Sequence, residues 1–123
     1  MIGFVMIGTN DLNKAINFYD ALLKTLNLKR VCTNNKYAGY ASKNNLENIE
    51  FYITKPLNKE KATFGNGTQV SFVADSKVTV DKFYEVGINL GGKNEGAPGE
   101  RSGDYYSYIR DLDGNKICSF VKN

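Results

Sequence analysis

The sequence predicts an α+β fold: two βαβββ modules paired into a curved mixed sheet, a cup with its helices on the outside. Three observations predict it. The chain repeats itself, each copy opens with a short apolar strand that runs into a capped helix, and three further strand-like segments follow each helix. The repeat is direct. Residues 4–20 read FVMIGTNDLNKAINFYD and residues 69–85 read QVSFVADSKVTVDKFYE. At an offset of 65, Val5 matches Val70, Ile7 matches Phe72, and Phe18-Tyr19 matches Phe83-Tyr84. Later the offset becomes 68, pairing Tyr37 with Tyr105, Tyr40 with Tyr108 and Ile49 with Ile117. A three-residue change fits a longer loop in one copy. Self-similarity over most of a chain is the mark of duplicated structural units.

The elements follow in order. A first strand is expected over residues 2–8, ending at Thr9-Asn10-Asp11, whose side chains can accept the free N–H groups of a helix start. The helix over residues 12–25 carries Ala15, Ile16, Tyr19, Leu22 and Leu23, with Leu26 just beyond, at the spacing of a half-buried helix. Strands are expected over 28–33, 37–42 and 49–55, separated by Asn34-Asn35 and Asn44-Asn45 turns. Residues 57–67, entered through Pro56 and rich in charge and glycine, read as a connector. The modules are thus 1–56 and 68–123 of a single domain. The second copy has a strand over 69–74, an Asp75-Ser76 cap, a helix over 78–86, and strands over 90–95, 105–111 and 116–122. The glycines of GKNEGAPG read as turn residues, because no phosphate-cradling glycine motif is present. Neither module can bury a sheet alone, so the two are expected to share a cavity lined by both, a natural place for a small molecule.

Composition narrows the chemistry. The 123 residues suit one soluble domain, with 41% hydrophobic and 24% charged residues. The net charge of +3 is small and its lysines are scattered, so no nucleic-acid footprint is visible. No apolar run approaches the roughly 20 residues of a membrane helix, and the start lacks the pattern of a signal peptide. Two cysteines, Cys32 and Cys118, make no disulfide framework and point to the cytoplasm. There is no histidine. The commonest metal ligand and the usual neutral-pH base are therefore missing.

Three stretches, MIGFVMIGTNDLNKAINFYDALLKTLNLKRV, GNGTQVSFVA and DKFYEVGINLGGKNEGAPGERSGDYYSYIRDLDGNKI, resemble the vicinal oxygen chelate superfamily of glyoxalases, bleomycin-resistance proteins and dioxygenases. The resemblance covers nearly the whole chain and implies the paired βαβββ fold and a homodimer. Enzymes of that family hold a divalent metal on His, Glu or Gln from the first and last strand of each module. Carried over, the resemblance and the repeat put Phe4, Gln69, Glu50 and Cys118 at those positions. Phe4 offers no lone pair, and Glu, Gln and Cys differ in softness. A degenerate site with no metal is expected, although zinc on Glu50, Gln69 and Cys118 with a water is conceivable.

Each candidate has two readings. Glu50 is a proton-abstracting base or a carboxylate satisfied by Gln69 or a tyrosine hydroxyl. Cys118 is a nucleophile or a small buried hydrophobe, with Lys116 two residues away on its strand face. The strand tyrosines Tyr37, Tyr40, Tyr52, Tyr105, Tyr106 and Tyr108 line a ligand site or fill space. Arg101 clamps a ligand anion at the rim or pairs with Glu100 or Asp104. The reading is a glyoxalase/bleomycin-resistance-like protein that binds an aromatic or amphipathic ligand without metal. Its site would comprise Phe4, Met6, Glu50, Tyr52, Gln69, Ser71, Arg101, Cys118 and Phe120. The alternative is a lactoylglutathione lyase-like lyase or isomerase using a residual metal, on a 2-oxoaldehyde thiol adduct or similar compound.

Overall fold

The computed structural model describes residues 1–123. By contacts along the chain it divides into two compact units, Met1–Thr63 and Phe64–Asn123. The first contains β1 (Val5–Gly8), α1 (Leu12–Lys24), β2 (Leu28–Thr33), β3 (Tyr37–Ser42) and β4 (Ile49–Thr54). The second contains β5 (Val70–Val73), α2 (Lys77–Asn89), β6 (Lys93–Arg101), β7 (Asp104–Arg110) and β8 (Lys116–Val121). Both are βαβββ modules. Their sheets run β1-β4-β3-β2 and β5-β8-β7-β6, with only the first and last strand of each module parallel. No helix is long and apolar enough to cross a membrane.

The helices form where their caps and apolar spacing direct. Asp11 accepts from the Lys14 N–H at 3.1 Å and Ser76 from the Thr79 N–H at 3.1 Å. α1 buries Ala15, Ile16, Tyr19, Leu22 and Leu23 against its sheet, where Tyr19 meets Phe51 at 5.3 Å. α2 buries Val80, Phe83 and Gly87, with Phe83 lying 6.3 Å from Phe72. α2 extends past residue 86 and stops at Gly91, φ +101°. There the Gly91 N–H bonds to the Ile88 carbonyl and the Gly92 N–H to the Gly87 carbonyl. This paired closure satisfies the last carbonyls of the helix and needs a left-handed residue, which glycine supplies without a Cβ penalty.

One expectation is corrected. The strand expected over 90–95 runs instead from Lys93 to Arg101, and the glycines expected as turn residues lie within it: Gly96 pairs with Tyr108 and Gly99 with Tyr106 through two irregularities of register. Polar, glycine- and proline-rich sequence has low strand propensity, but a neighbouring strand of three tyrosines supplies the packing that overrides it. A Cβ on Gly96 would stand 2.9 Å from Tyr108 Cδ2, so the glycine makes room for that ring.

Candidate functional site

In the second unit, Val70 and Phe72 of β5 turn toward α2, and their partners Ile117 and Ser119 on β8 do the same. Alternation then sends Ser71, Cys118 and Phe120, with Tyr106 and Tyr108 of β7, to the opposite face. Three rings form a slab there. Tyr106 and Phe120 stack at 5.3 Å and 14°, and Tyr106 and Tyr108 lie at 5.9 Å and 4°. Two cations sit against Tyr108: the Lys116 ammonium at 5.1 Å and the Arg101 guanidinium at 5.3 Å from the ring centre. Arg101 is committed to the backbone, donating from Nη1 to the Tyr106 carbonyl at 2.7 Å and from Nη2 to the Ala97 carbonyl. It ties the irregular β6 to β7.

Cys118 lies on this face yet is 0% exposed. Burial pushes its thiol pKa up, outweighing the Ser71 hydrogen bond and the Lys116 and Arg101 charges that pull it down. Such a thiol stays protonated at neutral pH and is neither a ready ligand nor a nucleophile. Gln69 is exposed and its amide donates to Ser71 Oγ at 2.8 Å. Burial also raises the Tyr108 hydroxyl pKa.

The equivalent face of the first unit carries Phe4, Met6 and Tyr52. Phe4 and Tyr52 meet edge-on at 5.2 Å, and Tyr37 meets Tyr52 at 5.7 Å. Gly39 lies beneath Tyr52; a Cβ there would stand 2.9 Å from Tyr52 Cε1 and 2.8 Å from Cys32 Sγ. Burial raises the Tyr52 hydroxyl pKa. Glu50 is exposed, so water solvates its carboxylate and no protein partner is needed.

Strand register changes which residues correspond between the units. Val5 pairs with Phe51 and Val70 with Ile117, so the last strands match at an offset of 66, not 68. Cys118 therefore corresponds to Tyr52, and Glu50 corresponds to Lys116. The first unit thus places Phe4 and Tyr52 where the second places Gln69 and Cys118. A phenyl ring, a neutral phenol, an amide already donating to Ser71 and a buried protonated thiol do not suit a divalent cation. Within either unit, no three His, Cys, Asp or Glu side chains gather to hold one. Neither unit's residues at these positions suit a divalent cation.

The site residues named from sequence therefore fall into two groups: Phe4, Met6 and Tyr52 with Glu50 at the margin, and Gln69, Ser71, Cys118 and Phe120 with Arg101 beside them. Tyr37, Tyr106, Tyr108 and Lys116 belong with these groups. The sequence had already set Lys116 on the strand face of Cys118 and left the strand tyrosines open between lining a site and filling space; pairing β7 with β8 puts Tyr106 and Tyr108 on that face.

Residues 1–119 match the model of the glyoxalase/bleomycin resistance protein/dioxygenase superfamily. No curated protein matches the chain. Among solved structures, a glyoxalase/bleomycin resistance protein from Albidiferax ferrireducens T118 is 41% identical, with a TM-score of 0.90 and 98% of each chain covered. A family enzyme from Burkholderia phytofirmans PsJN is 19% identical, with a TM-score of 0.77, over 99% of this chain and 98% of the other. Lactoylglutathione lyase from Agrobacterium tumefaciens is also 19% identical, with a TM-score of 0.70, over 98% and 92%. The last two share the fold alone. With the βαβββ repeat, the strand order and a match that runs almost end to end, the chain belongs to the glyoxalase/bleomycin resistance protein/dioxygenase superfamily.

Proposed function

We propose that this chain is a small-molecule binding protein of the glyoxalase/bleomycin-resistance type that works without a metal. The observation that carries this reading is the slab of Phe120, Tyr106 and Tyr108 on the face turned away from α2. Three rings in a row offer an apolar, aromatic surface, and aromatic pairs contribute about 0.5–1.5 kcal/mol beyond the area they bury. The Phe4, Tyr37 and Tyr52 cluster supports it as a second aromatic surface. In the same reading the protein acts as a homodimer, and its two unpaired cysteines suit a reducing cytoplasm.

The test is metal dependence. Untagged protein is expected to purify without stoichiometric zinc, nickel or manganese and to give no heat of binding with any of them by calorimetry. A bound ion at one per chain, lost in Glu50→Ala, would overturn the reading in favour of a lyase or isomerase with Glu50 as ligand.

A further inference from the structure

We infer that the ligand of the second unit's aromatic face is a flat aromatic carboxylate, its ring on Phe120 and Tyr106 and its anionic group on Lys116. The inference rests on the binding reading above and names the ligand class for it. Along β8, Lys116, Cys118 and Phe120 share one face, with a spacing of roughly 6.6–6.8 Å between alternate residues. The middle position holds a small, wholly buried thiol beside Ser71, so the face has an aromatic end and a cationic end. Lys116 has no carboxylate partner, and neither has Arg101. The third cation on that side of β7, Arg110, is already paired with Glu95 at 3.3 Å.

The charges select the ligand's sign. Two unpaired cations against Tyr108 disfavour a cationic ligand and leave a neutral one without a polar anchor. Arg101 spends both terminal nitrogens on backbone carbonyls. The ammonium of Lys116, which makes no ion pair, is the group free to reach an anion, while Arg101 adds its field from a fixed place. Charge-assisted hydrogen bonds of this kind are stronger than neutral ones.

The experiment compares three probes of one shape on the full chain by calorimetry: 2-naphthoate, 2-naphthamide and 2-naphthylmethylammonium. Naphthoate is expected to bind about tenfold tighter than the amide, and the ammonium probe weakest. Lys116→Met should bring naphthoate down to the amide's affinity and leave the amide unchanged, whereas Lys116→Arg should keep the preference. Equal affinity for naphthoate and naphthamide, or a preference that survives Lys116→Met, would overturn the ligand class while the binding reading stands. Binding of none of the three would overturn both.

Discussion

Tyr40 carries its hydroxyl beneath the surface of the first unit and finds one acceptor there, Asp20 of α1, at 2.8 Å. The ring is 0% exposed and packs on Phe51 at 6.3 Å. Arg30 grips the same carboxylate from the solvent side, with Nε at 3.0 Å and Nη2 at 3.1 Å. Burial, with the bond to Asp20, holds the Tyr40 hydroxyl pKa far above the ordinary tyrosine value. The sign of the linkage follows. Below about pH 10 the phenol is protonated in both folded and unfolded chains. Above it the unfolded chain loses that proton and the folded one keeps it, so stability falls as pH rises. Tyr40→Phe should cost about 1–2 kcal/mol at neutral pH, because a hydrogen bond to a charged group is lost while Asp20 keeps Arg30 and water. Denaturant unfolding from pH 7 to 11 checks both parts: the variant should start lower and decline less steeply. Parallel curves for the two proteins would refute this account.

At the scale of elements, sequence and structure agree most where one local rule acts alone. Both helices start at the capping residues Asp11 and Ser76, and β2 and β3 occupy their expected residues. The site was less legible because a side chain's face depends on register, and a one-residue slip turns it over. Tyr40 and Tyr108 match in the repeat, yet Tyr40 points at α1 while Tyr108 points away from α2. The cause is register: Tyr40 of β3 pairs with Phe51, which faces α1, whereas Tyr108 of β7 pairs with Cys118 on the far face, so Tyr40 corresponds in the structure to Ile109. A slip of one or two residues between the copies leaves no mark in composition, and it also made Glu50 rather than Tyr52 the apparent partner of Cys118. The end of α2 teaches the reverse lesson, since a glycine pair could have placed it. Gly91→Ala would force a Cβ into the left-handed conformation and toward Leu112 Cδ2, 3.2 Å away. It should lower stability by about 1 kcal/mol, and Asn at the same position should cost less. Chemical denaturation of both variants measures the difference; equal stability of alanine and wild type would count against the helix-closing role.

At the scale of the whole molecule, one repeated plan carries two different faces. The first unit's face is aromatic with an exposed carboxylate at its margin, and the second's is aromatic with cations, so duplication preserved the scaffold while the side chains diverged. The polypeptide crosses between the units at a defined point. Asn10, just before α1, clamps the connector by accepting from the Ala62 N–H at 2.7 Å and donating to the Ala62 carbonyl at 3.2 Å. Ala62 is buried, and its Cβ sits 3.1 Å from where a Cβ on Gly8 would stand. Two residues on, Phe64 lies over Gly114 and under the Arg110 guanidinium at 5.5 Å, in the second unit. The connector is thus anchored at both of its last elements, while Lys59 and Lys61 ahead of Ala62 are exposed. Asn10→Ala removes both bonds to Ala62, worth about 1–2 kcal/mol together, and so should raise local opening there roughly 5- to 30-fold. Trypsin under native conditions reads this directly, because cleavage at an exposed lysine tracks the open population when closing is fast. The variant should be cut at Lys59 or Lys61 several-fold faster than wild type, and its global stability in urea should fall by the same amount of about 1–2 kcal/mol, because both bonds are lost on unfolding too. A wild-type cleavage rate would mean that Phe64 and the buried Ala62 methyl, rather than Asn10, hold the connector in place.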